Sequence, residues 1–129
     1  MPLSAKTKEA IFRKLKKGMA QCTPPMVCKK NSPAVYELMG NKPVPYGYKK
    51  EIVPGMYFCS AVMRSDSVVL YFFPCYMHPG FKETAPSLFK HLKGKTCFHF
   101  KKEEDVNEKE LGALLKKGVN VWKKAGYMK

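Results

Sequence analysis

The chain has 129 residues, 45% of them apolar, and a formal net charge of +14 from 24 basic and 10 acidic side chains. This length suits one domain over residues 1–129 with one core, and the apolar content excludes a disordered chain. The charge does not decide the fold, but it makes polyanions (nucleic acid, anionic lipid or acidic protein) the partners that the surface attracts.

The basic residues are almost all lysines, since only Arg13 and Arg64 are arginines. Arginine contacts phosphates and guanine edges bidentately, whereas lysine is a hydrated point charge. The composition therefore favours non-specific attraction, or solubility alone, over sequence-specific recognition of nucleic acid.

The cysteines are odd in number, spread along the chain and without a C-x-x-C pair: Cys22, Cys28, Cys59, Cys75 and Cys97. This pattern is typical of reduced thiols rather than of a disulfide framework. The longest apolar run, 68–74, is too short to cross a bilayer, and the first twenty residues lack the apolar stretch of a signal peptide. We expect a soluble, cytoplasmic protein with no membrane partner.

A helical period over residues 4–19 predicts the first helix, with its apolar residues on one face and lysines opposite. Residues 21–30 are predicted to form a connection. Residues 33–39 are predicted to form a short helix, because Ser32 can cap it, Pro33 suits its first position and Gly40 its end.

From Pro43 the pattern changes to strands. An edge strand is predicted around Tyr46 and Tyr48, followed by a hairpin of residues 56–63 and 67–73. Both hairpin strands are apolar at odd and even positions alike. One face of the sheet should therefore meet the helices, while the other is covered by something else or forms a site.

Residues 74–83 are predicted as a loop, and a helix is predicted from Thr84 or Ala85 to Gly94. Residues 96–100 should form a strand whose aromatic side chains face the core while His99 faces outward. The last helix is predicted after Asn107, with a capping box and an apolar face ending at Trp122.

This order of elements predicts an α+β fold. We expect a two-layer sandwich in which N- and C-terminal helices pack on an antiparallel sheet of about four to five strands.

Gly94-Lys95-Thr96 is similar to the end of a phosphate-binding loop. It lacks the earlier glycine and stands between a predicted helix and a strand, the reverse of the order that such a loop needs. The interpretation is a glycine at the end of a helix.

Cys75 and His78 have the spacing of metal ligands, and Cys97 with His99 could complete a zinc site. Cys75 with His78 is also the one nearby pair suited to nucleophilic catalysis. Residue type alone favours packed thiols, so we expect neither a cofactor nor a catalytic site.

A cluster of carboxylates, Glu103, Glu104, Asp105 and Glu108, precedes the last helix. Oxygen ligands of this kind bind hard cations, which makes the cluster a weak alternative metal site. Carboxylates are also favoured at a helix N-terminus by the helix dipole. A structural role at the start of the helix is therefore the alternative to metal binding.

The densest basic stretch outside the helices contains Lys93, Lys95, His99 and Lys101. With Phe98 and Phe100 interleaved, its composition is that of a clamp for single-stranded nucleic acid. The alternation instead places both rings in the core and favours a solvated basic face.

Several segments together resemble the bacterial YdhG-like family of domains of unknown function, over roughly residues 26–127. These segments are Gly40-Asn41-Lys42-Pro43, Tyr57-Phe58, the run from Val68 to Phe73, the stretch from Leu92 to Phe100, and Gly126-Tyr127. The tryptophan usual before the paired strands of that family is missing here. The resemblance implies helices on an antiparallel sheet. Some members are described as frataxin-like iron chaperones, which implies iron handling, here through the segment 103–110.

The leading functional hypothesis is a non-enzymatic module that binds a small ligand or a protein at the apolar sheet face. Its predicted binding residues are Tyr46, Tyr48, Lys93, Lys95, His99 and Lys101. The alternatives are non-specific polyanion or nucleic-acid binding through lysines, and frataxin-like iron handling. A homodimer stays open, and an enzyme ranks last because no complete catalytic set is present.

Overall fold

The structure is a computed structural model that describes residues 4–23, 26–46, 51–77, 80–94 and 96–128, apart from the side chains of Tyr46, Tyr76 and Met77. In chain order its elements are α1 (Ala5–Ala20), β1 (Val27–Asn31), β2 (Val35–Met39), β3 (Val44–Tyr46), β4 (Glu51–Val53), β5 (Tyr57–Met63), β6 (Val68–Phe72), α2 (Pro74–Met77), α3 (Pro86–Phe89), β7 (Leu92–Lys93), β8 (Cys97–Phe100) and α4 (Glu108–Lys124). A short 3-10 helix, Glu103–Asp105, precedes α4.

Six strands form one antiparallel sheet in the spatial order β1-β2-β5-β6-β8-β7, while β3 and β4 pair separately. The predicted α+β two-layer arrangement, with N- and C-terminal helices on an antiparallel sheet, is confirmed. The sheet has six strands rather than four to five because β1 and β7 join its two edges.

Helix α1 forms where the helical period predicted it. The Ser4 hydroxyl accepts a hydrogen bond from the Thr7 amide and so caps the first turn. The apolar face is buried in the core and consists of Ile11, Phe12, Leu15 and Met19.

Helix α4 is capped at both ends. The Asn107 side chain accepts from the Glu110 amide and donates to the Glu110 carboxylate, as the capping pattern predicted. At the other end Gly126 has a φ of +82°. The Tyr127 amide bonds back to the Trp122 carbonyl, so the helix ends in a Schellman motif with the Trp122 and Tyr127 rings 5.3 Å apart.

Helix α4 packs on the sheet most closely at Gly118, where its backbone meets the rings of two sheet phenylalanines. A Cβ atom there would stand 2.6 Å from Phe72 Cζ and 2.9 Å from Phe58 Cε1. One turn further along, the fully buried Trp122 packs edge-on against Phe58, with ring centroids 5.7 Å apart. Its indole nitrogen donates to the Met56 carbonyl, so the one buried polar atom of the ring has a partner.

In the segment 33–39, residues 33 and 34 lie in a turn and the rest is the strand β2 (Val35–Met39), so the predicted short helix is wrong. The Ser32 hydroxyl accepts from the Val35 amide, and the Ser32 amide bonds to the Val35 carbonyl. The apparent helix cap is therefore the turn of the β1–β2 hairpin. The strand alternates between half-buried and buried residues, and Tyr36 and Leu38 lie in the core. Residues 27–31, predicted as part of a connection, form β1, the partner strand in this hairpin.

The predictions for residues 74–94 are wrong in three places. The expected loop contains α2, and the expected helix is reduced to the four residues of α3. The residues predicted to end that helix form the strand β7 instead. Gly94 (φ +78°) lies in the turn between β7 and β8 rather than at the end of a helix. Glu110 defines the start of α3, because its carboxylate accepts from the Ser87 and Leu88 amides.

The strand β1 is exposed along its whole length and forms one edge of the sheet. Its pairing with β2 is interrupted by a bulge between Cys28 and Lys30. Lys29 makes a 3.8 Å salt bridge with Glu37.

Substitution of two glycines in α4, one at a time, tests the packing of that helix on the sheet. We expect Gly118→Ala to lower the free energy of unfolding by about 1–3 kcal/mol, because packed aromatic rings must move to admit the methyl group. We expect Gly112→Ala, which has no heavy atom within 4 Å of the added carbon, to raise it by about 0.5–1 kcal/mol. Urea denaturation measures both values. Equal changes in the two variants would contradict the close packing at Gly118.

Candidate functional site

One face of the main sheet is free of helices among the described residues, and we call it the open face. It is formed by outward residues of the four central strands: Val35, Glu37, Ser60, Val62, Val69, Tyr71, Cys97 and His99. Cross-strand pairing joins these residues in rows, such as Glu37–Ser60–Tyr71–Cys97. The described helices share the other side, since α1, α2 and α3 all contact α4.

The open face arises because β5 and β6 are apolar at both alternations. Their inward residues, such as Ala61 and Leu70, belong to the core between the sheet and the helices. Val69 points the other way; it is fully buried yet stands outside that core. The sequence predicted this second apolar row, because β5 and β6 are apolar at odd and even positions alike. The row is shielded by neighbouring side chains and not by a described helix.

Arg64 lies across this face. Its guanidinium donates to the Tyr71 hydroxyl, and its central carbon is 6.0 Å from the centroid of that ring. By the strand register, the row of Val62 and Val69 separates Arg64 from Tyr71. The arginine therefore shields the apolar row while keeping its charge at the surface.

A second tyrosine bonds to the open face from one end. The Tyr57 hydroxyl lies 2.6 Å from the Ser60 hydroxyl, and the Tyr57 ring packs edge-on against Phe73. Burial raises the pKa of Tyr57 well above its usual range, although the hydrogen bond with Ser60 lowers it in part. This phenol is neutral at physiological pH and acts as a hydrogen-bonding group.

His99 lies in a positive field on the open face. Burial has the largest effect on the pKa of His99 and lowers it. The nearby positive charges of Lys93, Arg64 and Lys101 lower this pKa further, while the negative charge of Asp66 partly offsets them. Lys93 shares the face because it pairs with Cys97, and Lys101 follows β8 at the next outward position. We call Arg64, Lys93, His99 and Lys101 the basic cluster.

The predicted site residues fall into two groups. Lys93, His99 and Lys101 come together in the basic cluster. Tyr46 belongs to β3 of the separate hairpin, and Tyr48 and Lys95 lie outside the described residues.

Sequence reasoning did not single out Arg64, Tyr71 or Tyr57 as site residues. Arg64 entered the sequence analysis only as one of the two arginines of the chain. The available signal was the alternation of β6, which places Tyr71 on the face opposite Leu70 and Phe72.

Two residues of the acidic segment before α4 contact other parts of the fold. Asp105 lies 3.8 Å from His91, and the Glu103 carbonyl accepts from Lys14. Within the described ranges, no group of three or more histidine, cysteine or carboxylate side chains is arranged to hold a metal ion.

The environment of Cys75, the thiol considered as a nucleophile, does not favour the thiolate, and neither does that of Cys22. Burial raises the pKa of Cys75 to about 12 and that of Cys22 to about 11. A catalytic thiol needs the opposite shift. His78, the suggested partner of Cys75, lies outside the described residues.

No helix in the described part of the chain combines the length and apolar character needed to cross a membrane. No protein-family model matches the chain, and comparisons with curated proteins and with solved structures found no match. The resemblance to the YdhG-like family therefore stays a prediction.

The charges around His99 can be tested by NMR titration of its imidazole. We expect Lys93→Gln to raise the pKa of His99, because it removes the unfavourable charge with the largest effect on that pKa. Lys82→Gln, a change at an exposed loop residue, is the control and should leave it unchanged. The same pKa in all three proteins would show that the Lys93 charge does not act on His99.

The same shift predicts a pH dependence of stability. The folded protein binds fewer protons at His99 than the unfolded chain does. The stability that His99 contributes is therefore present above the unfolded-state pKa of about 6.5 and decreases as pH falls through that value.

Proposed function

We propose that the protein is a non-enzymatic binding module that docks an acidic protein partner on the open face. The observation that carries this proposal is the Arg64 side chain held by Tyr71 across an apolar row, next to the other cations of the basic cluster. Tyrosine and arginine are the residues on which binding energy concentrates at protein interfaces.

The shape of the face favours a macromolecule over a small ligand. A small molecule needs a concave site that encloses most of its surface. A hollow of about 510 Å³ does exist, but it lies between α1 and the β1–β2 turn, with Phe12, Arg13 and Ser32 in its lining. The open face is one side of a sheet, which suits the broad contact of a protein partner.

The charges of the face favour an acidic partner. The basic cluster contains two lysines, an arginine and a histidine, with Asp66 as its nearby carboxylate. Glu37, at the far end of the face, is already paired with Lys29. Carboxylates beside the basic cluster would also favour the protonated form of His99, so affinity should rise as pH falls from about 7.5 to about 6.

The other hypotheses have less support. Iron handling would follow from the YdhG-like resemblance, but the described carboxylates form no metal-binding group. A homodimer through the open face would bring two basic clusters onto a shared interface in a chain of charge +14.

NMR with a poly-glutamate peptide as the acidic probe tests this proposal. We expect saturable shifts of the Val62 and Val69 methyl groups and of the His99 amide. We expect Arg64→Ala to weaken binding about tenfold or more, because it removes a central interface arginine. Arg13→Ala, the same change on α1, is the matched control.

Equal weakening by Arg64→Ala and Arg13→Ala would show diffuse attraction and contradict the proposal. Shifts confined to α1 and α4 would also contradict it. Sedimentation of the free protein as a dimer that Arg64→Ala dissociates would replace the acidic partner with a second copy of the chain.

A further inference from the structure

A lysine-lined groove runs between α1 and α4 on the side of the molecule opposite the open face. It consists of two adjoining hollows of about 320 and 280 Å³ that share Gly18, Gln21 and Gly112. Five lysines line it, with Glu108 as the one carboxylate among its lining residues: Lys14, Lys17, Lys109, Lys116 and Lys123. We call this feature the helix groove.

The spacing of the α4 lysines makes the helix groove a continuous strip. Lys109, Lys116 and Lys123 are seven residues apart, which is two helical turns, so they lie along one side of the helix. From the first to the last the strip is about 21 Å long. On the other wall, Lys14 and Lys17 are one turn apart and face the first half of the strip.

A close contact between the helices sets the floor of the groove. A Cβ atom at Gly18 would stand 2.8 Å from Leu111 Cδ2 and 3.7 Å from Leu115 Cδ1. Leucine side chains of α4 therefore pack directly on the α1 backbone below the lysines.

The lysine charges of the helix groove are not paired with carboxylates of the described structure. No salt bridge between described residues involves any of the five lysines. Lys14 donates to the Glu103 carbonyl, but Lys109, Lys116 and Lys123 are exposed. Lys117, on another side of α4, is used differently; it donates to the Gly80 carbonyl at 2.7 Å and lies over Phe81.

We propose that the helix groove binds the phosphate backbone of double-stranded nucleic acid without sequence preference. Lysines are suited to phosphates as point charges, and no arginine lines the groove to contact base edges. Single-stranded nucleic acid is normally held by aromatic stacking as well, and none of the described residues that line the groove is aromatic.

A membrane surface fits the groove less well than a duplex does. Peripheral membrane helices insert apolar side chains below the headgroups. The large apolar side chains exposed in the described structure are Val27 and Ile52, and they belong to β1 and β4. The helix layer offers lysines without such an anchor.

Fluorescence anisotropy with labelled duplex DNA of about 20 base pairs tests this proposal, with affinity measured over a range of salt concentrations. Three triple variants each lower the formal charge from +14 to +11. The groove variant changes Lys109, Lys116 and Lys123 to Gln, the open-face variant changes Arg64, Lys93 and Lys101 to Gln, and the control variant changes Lys30, Lys42 and Lys82 to Gln. Circular dichroism melting checks that each variant is folded.

We expect the groove variant to lose about tenfold or more in affinity at low salt, and its log–log salt slope to fall by about 2.7, for three lost phosphate contacts. The control and open-face variants should change much less. An equal loss in the control variant would overturn the proposal, because it would show attraction by net charge alone. So would an absence of wild-type binding at low salt.

Two further probes distinguish the other polyanions. Single-stranded DNA of the same length that binds more tightly than the duplex would overturn the choice of duplex. Vesicles with about 30% phosphatidylserine that bind at salt concentrations where duplex DNA does not would identify a membrane instead. A loss confined to the open-face variant would move DNA binding to the open face. The failure of this proposal leaves the acidic-partner proposal standing, since the two sites share no residue.

Discussion

The packing of α4 on the sheet through Gly118 is the contact on which the other features of the molecule depend. The rings of Phe58 and Phe72 occupy the space that any side chain at this position would need. Trp122 continues the contact one turn later and ties the helix to the Met56 carbonyl. Because α4 lies this close, α1 packs beside it on the same layer. The helices thus bury one side of the sheet and leave the other side to its own side chains.

The two proposed sites differ in chemistry because they come from different sides of this sandwich. The open face carries tyrosines and an arginine over an apolar row, so contact area and hydrogen bonds can add to charge. The helix groove contains lysines above a contact between Gly18 and the Leu111 side chain, and its affinity for a partner would come mainly from charge. Part of the positive charge of the chain therefore lies on a mixed surface and part in a groove that is almost entirely cationic. Acidic protein and nucleic acid would occupy opposite sides and need not compete for space.

Much of this architecture was predictable from local signals. Helices α1 and α4 each combine a 3.6-residue apolar period with a capping residue, and the β5–β6 hairpin has two apolar runs around a polar turn. The segment 33–39 was mispredicted because Ser32 and Pro33 suit both a helix start and a hairpin turn. Pairing with β1 and β5 decides between them, and that pairing is not a local property.

The candidate site was predictable only in part for the same reason. Lys93, His99 and Lys101 are close in sequence, so their shared region was visible as a basic stretch. Arg64 joins them across the sheet, and its contact with Tyr71 depends on the register of β5 and β6. The helix groove brings Lys17 beside α4 residues far along the chain. Sequence spacing predicts the stripe on each helix, but not that the two stripes meet.

The edge strand β1 limits how the protein behaves at high concentration. An uncovered strand with regular hydrogen-bonding groups invites a strand from another molecule, and such additions lead to aggregates. Here the bulge between Cys28 and Lys30 breaks the regular spacing of those groups, and Lys29 and Lys30 add positive charge to this edge. Copies of this chain are therefore discouraged from joining sheet to sheet at this edge. The half-apolar open face can therefore stay accessible while the sheet edge discourages polymerisation.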